Sequence, residues 1–176
     1  MKRQILIPGV TALVLAAIAI TFLIPMGASA NEIEVDMYEF GYIVKNGDLP
    51  IELKVGEEYT LKITNIGGVE HEFMIVTDPD RVNTDVKSLV DEYLAQGLSF
   101  DEIFEILEEE HHELEEAWES EGIFLDVVRL GPGESDILTL KFDSEGTFYI
   151  VCLVLKGSAP NTHYDMGMVA QLRVVS

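Results

Sequence analysis

A single cysteine, Cys152, and only 11 lysines and arginines against 32 aspartates and glutamates leave this 176-residue chain poor in thiol and in positive charge. One cysteine cannot build a disulfide framework, nor a structural zinc site made of several cysteines. A surface so negative releases no counterions from a polyanion, which excludes nucleic acid as a partner. The first thirty residues lack acid altogether, holding Lys2 and Arg3 but no Asp or Glu. The 146 residues that follow carry 32 negative and 9 positive side chains, a formal −23. That length suits one domain with its own core. No internal repeat, Gly-rich phosphate loop, haem-attachment motif or recognisable Ser/His/Asp grouping is present.

The apolar N-terminus reads as an export segment. Met1-Lys2-Arg3 is a short basic region, residues 5–24 are almost continuously apolar, and Ala28-Ser29-Ala30 has the small-x-small pattern of a cleavage site. About twenty apolar residues also suffice to span a bilayer, so residues 1–30 are expected to be a signal peptide or an N-terminal membrane anchor. Either places residues 31–176 outside the cytoplasm: periplasmic, secreted, or on the outer face of the cell membrane. An unpaired thiol is a liability there unless it is buried or bound to something.

Strand patterns fill both ends of the exported part. Ile33, Val35 and Met37 alternate with Glu34 and Asp36, and short apolar runs follow over residues 49–55, 59–65 and 70–76. Strands are also predicted over 137–142, 147–154 and 169–175, and such short, closely spaced strands suggest a sandwich or a barrel. Between the two ends, residues 80–122 hold fifteen acidic and two basic side chains. Val86, Leu89, Val90, Tyr93 and Leu94 keep helical spacing up to Gly97, and Ser99 with Glu102 forms a capping-box pattern that opens a second helix. This acidic helical insertion is a solvated face around one apolar stripe, or a docking surface for a basic partner.

His71 in a predicted strand, Cys152 near the end of another, and His163 and Met168 in the loop before the last strand make one candidate constellation. Two imidazoles, one thiolate and one weak thioether form the donor set of a trigonal mononuclear copper site with a long axial bond. Other residues are weaker candidates. Met166 competes with Met168. In the helix, Glu108 with His112 and His111 with Glu115 are i,i+4 pairs suited at most to weak metal binding, and Trp118 reads as an anchor of the apolar stripe.

The residues around this constellation resemble those of the cupredoxins, the blue-copper family of plastocyanin and azurin. Val55-Gly56-Glu57 and Ile63-Thr64-Asn65 leading into His71-Glu72-Phe73 are similar to the family's first half. Gly131-Pro132-Gly133-Glu134-Ser135, then Gly146-Thr147-Phe148-Tyr149 and Cys152, resemble its second, and His163 with Gly167-Met168 matches the closing His-x4-Met. The resemblance implies an all-β Greek-key β-sandwich carrying the acidic helical insertion. It also implies one copper ion, with His71, Cys152 and His163 as equatorial ligands and Met168 as the axial one. Two departures stand out. Ten residues separate Cys152 from His163 where the family has two to four, and Glu72 follows the first His where plastocyanin and azurin carry Asn.

The expected function is one-electron transfer between redox protein partners that carry a basic docking patch, without enzymatic activity. A copper chaperone or buffer, and an accessory copper subunit of a membrane redox complex, are the alternatives.

Overall fold

The computed structural model describes residues 31–157 and 160–176, apart from the side chains of residues 108–111. The export segment expected over residues 1–30 lies outside the described residues. None of the described helices is long and apolar enough to cross a membrane.

Among the described residues, nine strands and two helices form in the order β1 (Glu32–Tyr38), β2 (Gly41–Val44), β3 (Ile51–Lys54), β4 (Glu58–Asn65), β5 (His71–Val76), α1 (Pro79–Ala95), α2 (Phe100–Ser120), β6 (Phe124–Leu130), β7 (Ser135–Lys141), β8 (Gly146–Val151) and β9 (Val169–Val175). Two strands escape a reading by alternation. β2 is only four residues long and is held by antiparallel pairing with β1, Val35 opposite Val44. Both faces of β6 are partly covered, which blurs the period of two. β8 also stops at Val151, short of the run predicted to residue 154, because the chain beyond it bonds to other partners, described below.

The strands make two sheets, ordered β2-β1-β4-β7 and β3-β9-β8-β5-β6. Each mixes orientations, with β1 parallel to β4 and β3 parallel to β9. Their facing sides close over fully buried Val35, Met37, Leu61 and Ile63 from one sheet and Phe73, Ile75, Ile150 and Leu172 from the other. Water excluded from such apolar surface is the main stabilising term, about 25 cal/mol per Å².

The helical insertion covers the second sheet's other face. Every residue of β5 is therefore buried: Phe73 and Ile75 face the inter-sheet core, while Met74 and Val76 pack with Val82, Val86 and Trp118. A strand covered on both faces reads as a continuous apolar run, as this one does. Asp78 caps α1, accepting the Arg81 N–H at 3.1 Å, and Ser99 and Glu102 make the predicted capping box on α2. Trp118 anchors the helix stripe and donates its indole N–H to Asp85 at 2.9 Å, tying α2 to α1.

Candidate metal centre

Strand pairing brings the candidate ligands together. His71 opens β5, Cys152 directly follows β8, and these strands are antiparallel neighbours with Met74 opposite Val151. His163 comes from the loop that joins β8 to β9. Its Nδ1 lies 3.1 Å from His71 Nδ1 and 3.4 Å from Cys152 Sγ, and the remaining side of the triangle, Cys152 Sγ to His71 Nδ1, is 3.9 Å. A triangle with those sides has a point about 2.0 Å from all three corners, close to the roughly 2.0–2.1 Å and 2.3 Å that zinc keeps to imidazole nitrogen and thiolate sulfur. Two ring nitrogens turned on each other at this distance repel unless a proton or a cation lies between them. The donor set fits a soft first-row metal ion. Met168 is fully buried in the inter-sheet core, and its N–H donates to the His163 carbonyl at 2.9 Å. Met166 is 40% exposed.

The ten residues between Cys152 and His163 do not hold the ligands apart. The outgoing and returning parts of the loop pair with each other: Leu155 bridges Thr162, and Lys156 N–H donates to the Asn161 carbonyl at 2.8 Å. On the way back His163 N–H reaches the Val154 carbonyl at 2.9 Å and Tyr164 N–H reaches the Cys152 carbonyl at 2.8 Å. His163 thus returns beside Cys152. A tight turn then closes to Met168, with Gly167 N–H on the Tyr164 carbonyl at 2.9 Å. Gly167 adopts a φ of 97°, which only glycine takes without strain.

Glu72 joins the β5 and β8 ends of the centre through two hydrogen bonds. Its backbone N–H donates to Cys152 Sγ at 3.3 Å, and its carboxylate accepts the Leu153 N–H at 3.0 Å. The carboxylate is buried, and its charge is met by Arg129, opposite it on β6, at 3.0 Å. Arg129 also pairs with Glu115 of α2. Burial disfavours the guanidinium charge, but the two carboxylates more than offset this and raise its pKa. Arg129 could not be anticipated, because its strand carries no clear alternation. Asn65 fixes the approach to His71, donating to the carbonyls of Val69 at 2.7 Å and Leu130 at 2.8 Å and accepting the Gly67 N–H at 2.8 Å. Gly67 lets the backbone pass close to the imidazole, since a Cβ there would stand 2.8 Å from His71 Nε2.

The ligands are shut away from solvent. His71 and Cys152 are fully buried and His163 is 3% exposed. Phe40, in the β1–β2 turn, covers His163 edge-on at 5.5 Å, and the Lys156 ammonium sits 4.8 Å from the centre of the Phe40 ring. Burial lowers the pKa of both histidines; for His163 the neighbouring His71 adds to it, to about 4. Both imidazoles are thus neutral at pH 7, as metal ligation requires. Burial, then the nearby Glu72 charge, pushes the Cys152 thiol up, against the pull of the Glu72 and Val154 N–H groups. The weaker helical candidates stay apart from this centre. His112 lies 3.5 Å from Glu116 on the exposed face of α2, and the pairs Glu108–His112 and His111–Glu115 each include a side chain outside the described ones.

No family model and no curated protein matches the chain. Among solved structures it is similar to auracyanin B, at 18% identity over 84% of this chain and 90% of that one, with a TM-score of 0.50. A dithionite-reduced auracyanin from the photosynthetic bacterium Roseiflexus castenholzii aligns over 85% of this chain and 100% of its own, at 20% identity and a TM-score of 0.48. A multicopper oxidase from Pediococcus acidilactici aligns over 99% of this chain but 31% of its own length, at 16% identity and a TM-score of 0.41. The auracyanin B likeness speaks to the fold. Two mixed sheets packed face to face make a Greek-key β-sandwich like that of auracyanin B, with His71 and Cys152 at neighbouring strand ends and His163 in the loop beside them.

Proposed function

We propose that the chain binds one copper ion through His71, Cys152 and His163, with Met168 as the fourth and longer ligand, and passes single electrons between redox proteins outside the cytoplasm. The observation that carries this is the triangle of Nδ1, Nδ1 and Sγ, with sides of 3.1 to 3.9 Å, sealed from solvent between the start of β5, the end of β8 and the loop that follows it. Copper held there supplies a one-electron couple between its cuprous and cupric states. The protein's share is to fix two neutral imidazoles and one thiolate so that neither state demands rearrangement. Auracyanin A is described as a blue copper protein, in keeping with this reading.

Burial also separates the electron carrier from its alternatives. No coordination face opens to a substrate. The cleft of about 250 Å³ beside the centre, walled by Glu72, Arg129, Phe104 and Leu153 among others, includes none of the three ligands. A chaperone hands over metal by exchanging ligands with its acceptor, which needs an accessible donor; the exposed Met166 and the long Cys152–His163 loop are the features that favour it. The acidic insertion supports redox partners with basic docking patches, and the export-type residues 1–30 support a place outside the cytoplasm. Repeated reduction and reoxidation of the copper-loaded protein, followed by metal analysis after desalting, tests the assignment. A carrier keeps one copper per chain through the cycles; loss of copper to a thiol acceptor during them sinks the electron-carrier reading in favour of the chaperone.

A further inference from the structure

The long loop between Cys152 and His163 and the helical insertion pack against each other. We propose that α1 is a clamp that positions His163, with Asn83 and Thr162 as its positioning residues; the proposal rests on the copper reading of the centre. Asp80, Asn83 and Lys87 lie three and four residues apart, on one face of α1. Each grips the loop beside His163. Asn83 accepts the Thr162 hydroxyl at 2.6 Å and donates to Asp165 at 3.0 Å, Lys87 reaches the other oxygen of Asp165 at 3.0 Å, and Asp80 accepts the Tyr164 hydroxyl at 2.7 Å. Residues on both sides of His163 are therefore held by one helix.

The grip is structural chemistry and not surface decoration. Thr162 and Asn83 are buried, where an unmet hydroxyl or amide is costly and a satisfied pair is directional. Thr162 also receives the Asp165 N–H at 3.3 Å, and its own N–H goes to Asp165 at 3.1 Å, so the loop is knotted at the point where the helix holds it. Leu155 of the same loop inserts between the helices with Val90, Ile103 and Leu107. A ten-residue connection left to itself lets its ends wander, and groups around a metal-ligating His typically change metal affinity by about 10–100-fold when removed. The insertion takes up that freedom. Long loop and insertion are one device.

The test uses the full chain. In the metal-free wild type, amide exchange at His163 and Tyr164 is expected to keep step with the amides of α1, as one opening unit. Thr162→Val, of the same shape but without the hydroxyl, is expected to speed exchange at residues 163–168 by about tenfold or more, and Thr162→Ser to restore the wild-type rate. In copper-loaded protein, Thr162→Val and Asn83→Leu are expected to weaken copper about 10–100-fold and to shift the thiolate-to-copper absorption, with Thr162→Ser again close to wild type. A purely structural role lowers the melting temperature without moving the absorption or the affinity, and that result overturns the clamp. Loop amides in the wild type that exchange far faster than those of α1 overturn it as well, even if a variant fails to fold. A wild type that takes up no copper removes the copper reading, while the exchange measurements still decide whether α1 holds the loop.

Discussion

Cys152 is the residue on which the chemistry turns, and its surroundings hold it as a thiol until a metal arrives. Burial and the Glu72 charge both disfavour the thiolate. Burial likewise disfavours the histidines as cations, with His71 adding to it at His163, and this has a pH signature. An unfolded histidine takes a proton near pH 6.5, whereas folded His163 does so only near 4. Between those values the unfolded chain binds more protons, so stability of the metal-free protein falls as pH drops through that window, on the order of 3 kcal/mol for this residue. The melting temperature of the metal-free wild type is expected to fall more steeply between pH 6.5 and 4 than that of His163→Gln. Equal slopes would mean that His163 is not held neutral by the fold. At this scale the sequence is informative about donors and silent about their supports. A lone cysteine followed by His163 and Met168 is visible as a pattern, and Glu72 is visible as a departure from the family's. Arg129, Asn83 and Thr162 carry no local signal, because Arg129 meets Glu72 and Asn83 meets Thr162 only across more than fifty residues of chain.

At the scale of elements, the loop over residues 153–162 and the two helices are mutually dependent. Leu155 is 7% exposed between α1 and α2, so Leu155→Ala is expected to cost about 2–5 kcal/mol, read as a lowered denaturant midpoint. A loss below about 0.5 kcal/mol would show that Leu155 contributes no packing to the helices. The helices themselves were legible, caps included, because Ser99 with Glu102 and the stop at Gly97 are local chemistry. So were the strands with a clean period of two. β2 was too short to show a period and β6 was masked by cover on both faces, which is a tertiary property. The face that the insertion buries was likewise unreadable: its apolar stripe was plain, but not that it lies on β5 and the ligand loop.

At the scale of the whole molecule, the sequence resemblance and the observed sandwich agree on fold class, since turn spacing and alternation are distributed over most of residues 31–176. Net charge is the other global property. With a formal −23 on those residues, encounters with a basic redox protein are steered at long range and screened by salt. The bimolecular rate of electron transfer to a basic haem protein is expected to fall by about tenfold or more between 10 and 200 mM salt, as order-of-magnitude ionic strengths. A rate indifferent to salt would assign the acidic helices to solubility alone. Some of those acids already have partners within the fold, Glu115 on Arg129 and Asp80 on Tyr164.

The most direct test of the central claim is the visible absorption of the full chain loaded with one equivalent of cupric ion. Strong thiolate-to-copper absorption is expected in the wild type, to vanish in Cys152→Ser and to bleach reversibly on reduction. A copper-loaded wild type that stays colourless under oxidising conditions would contradict the account.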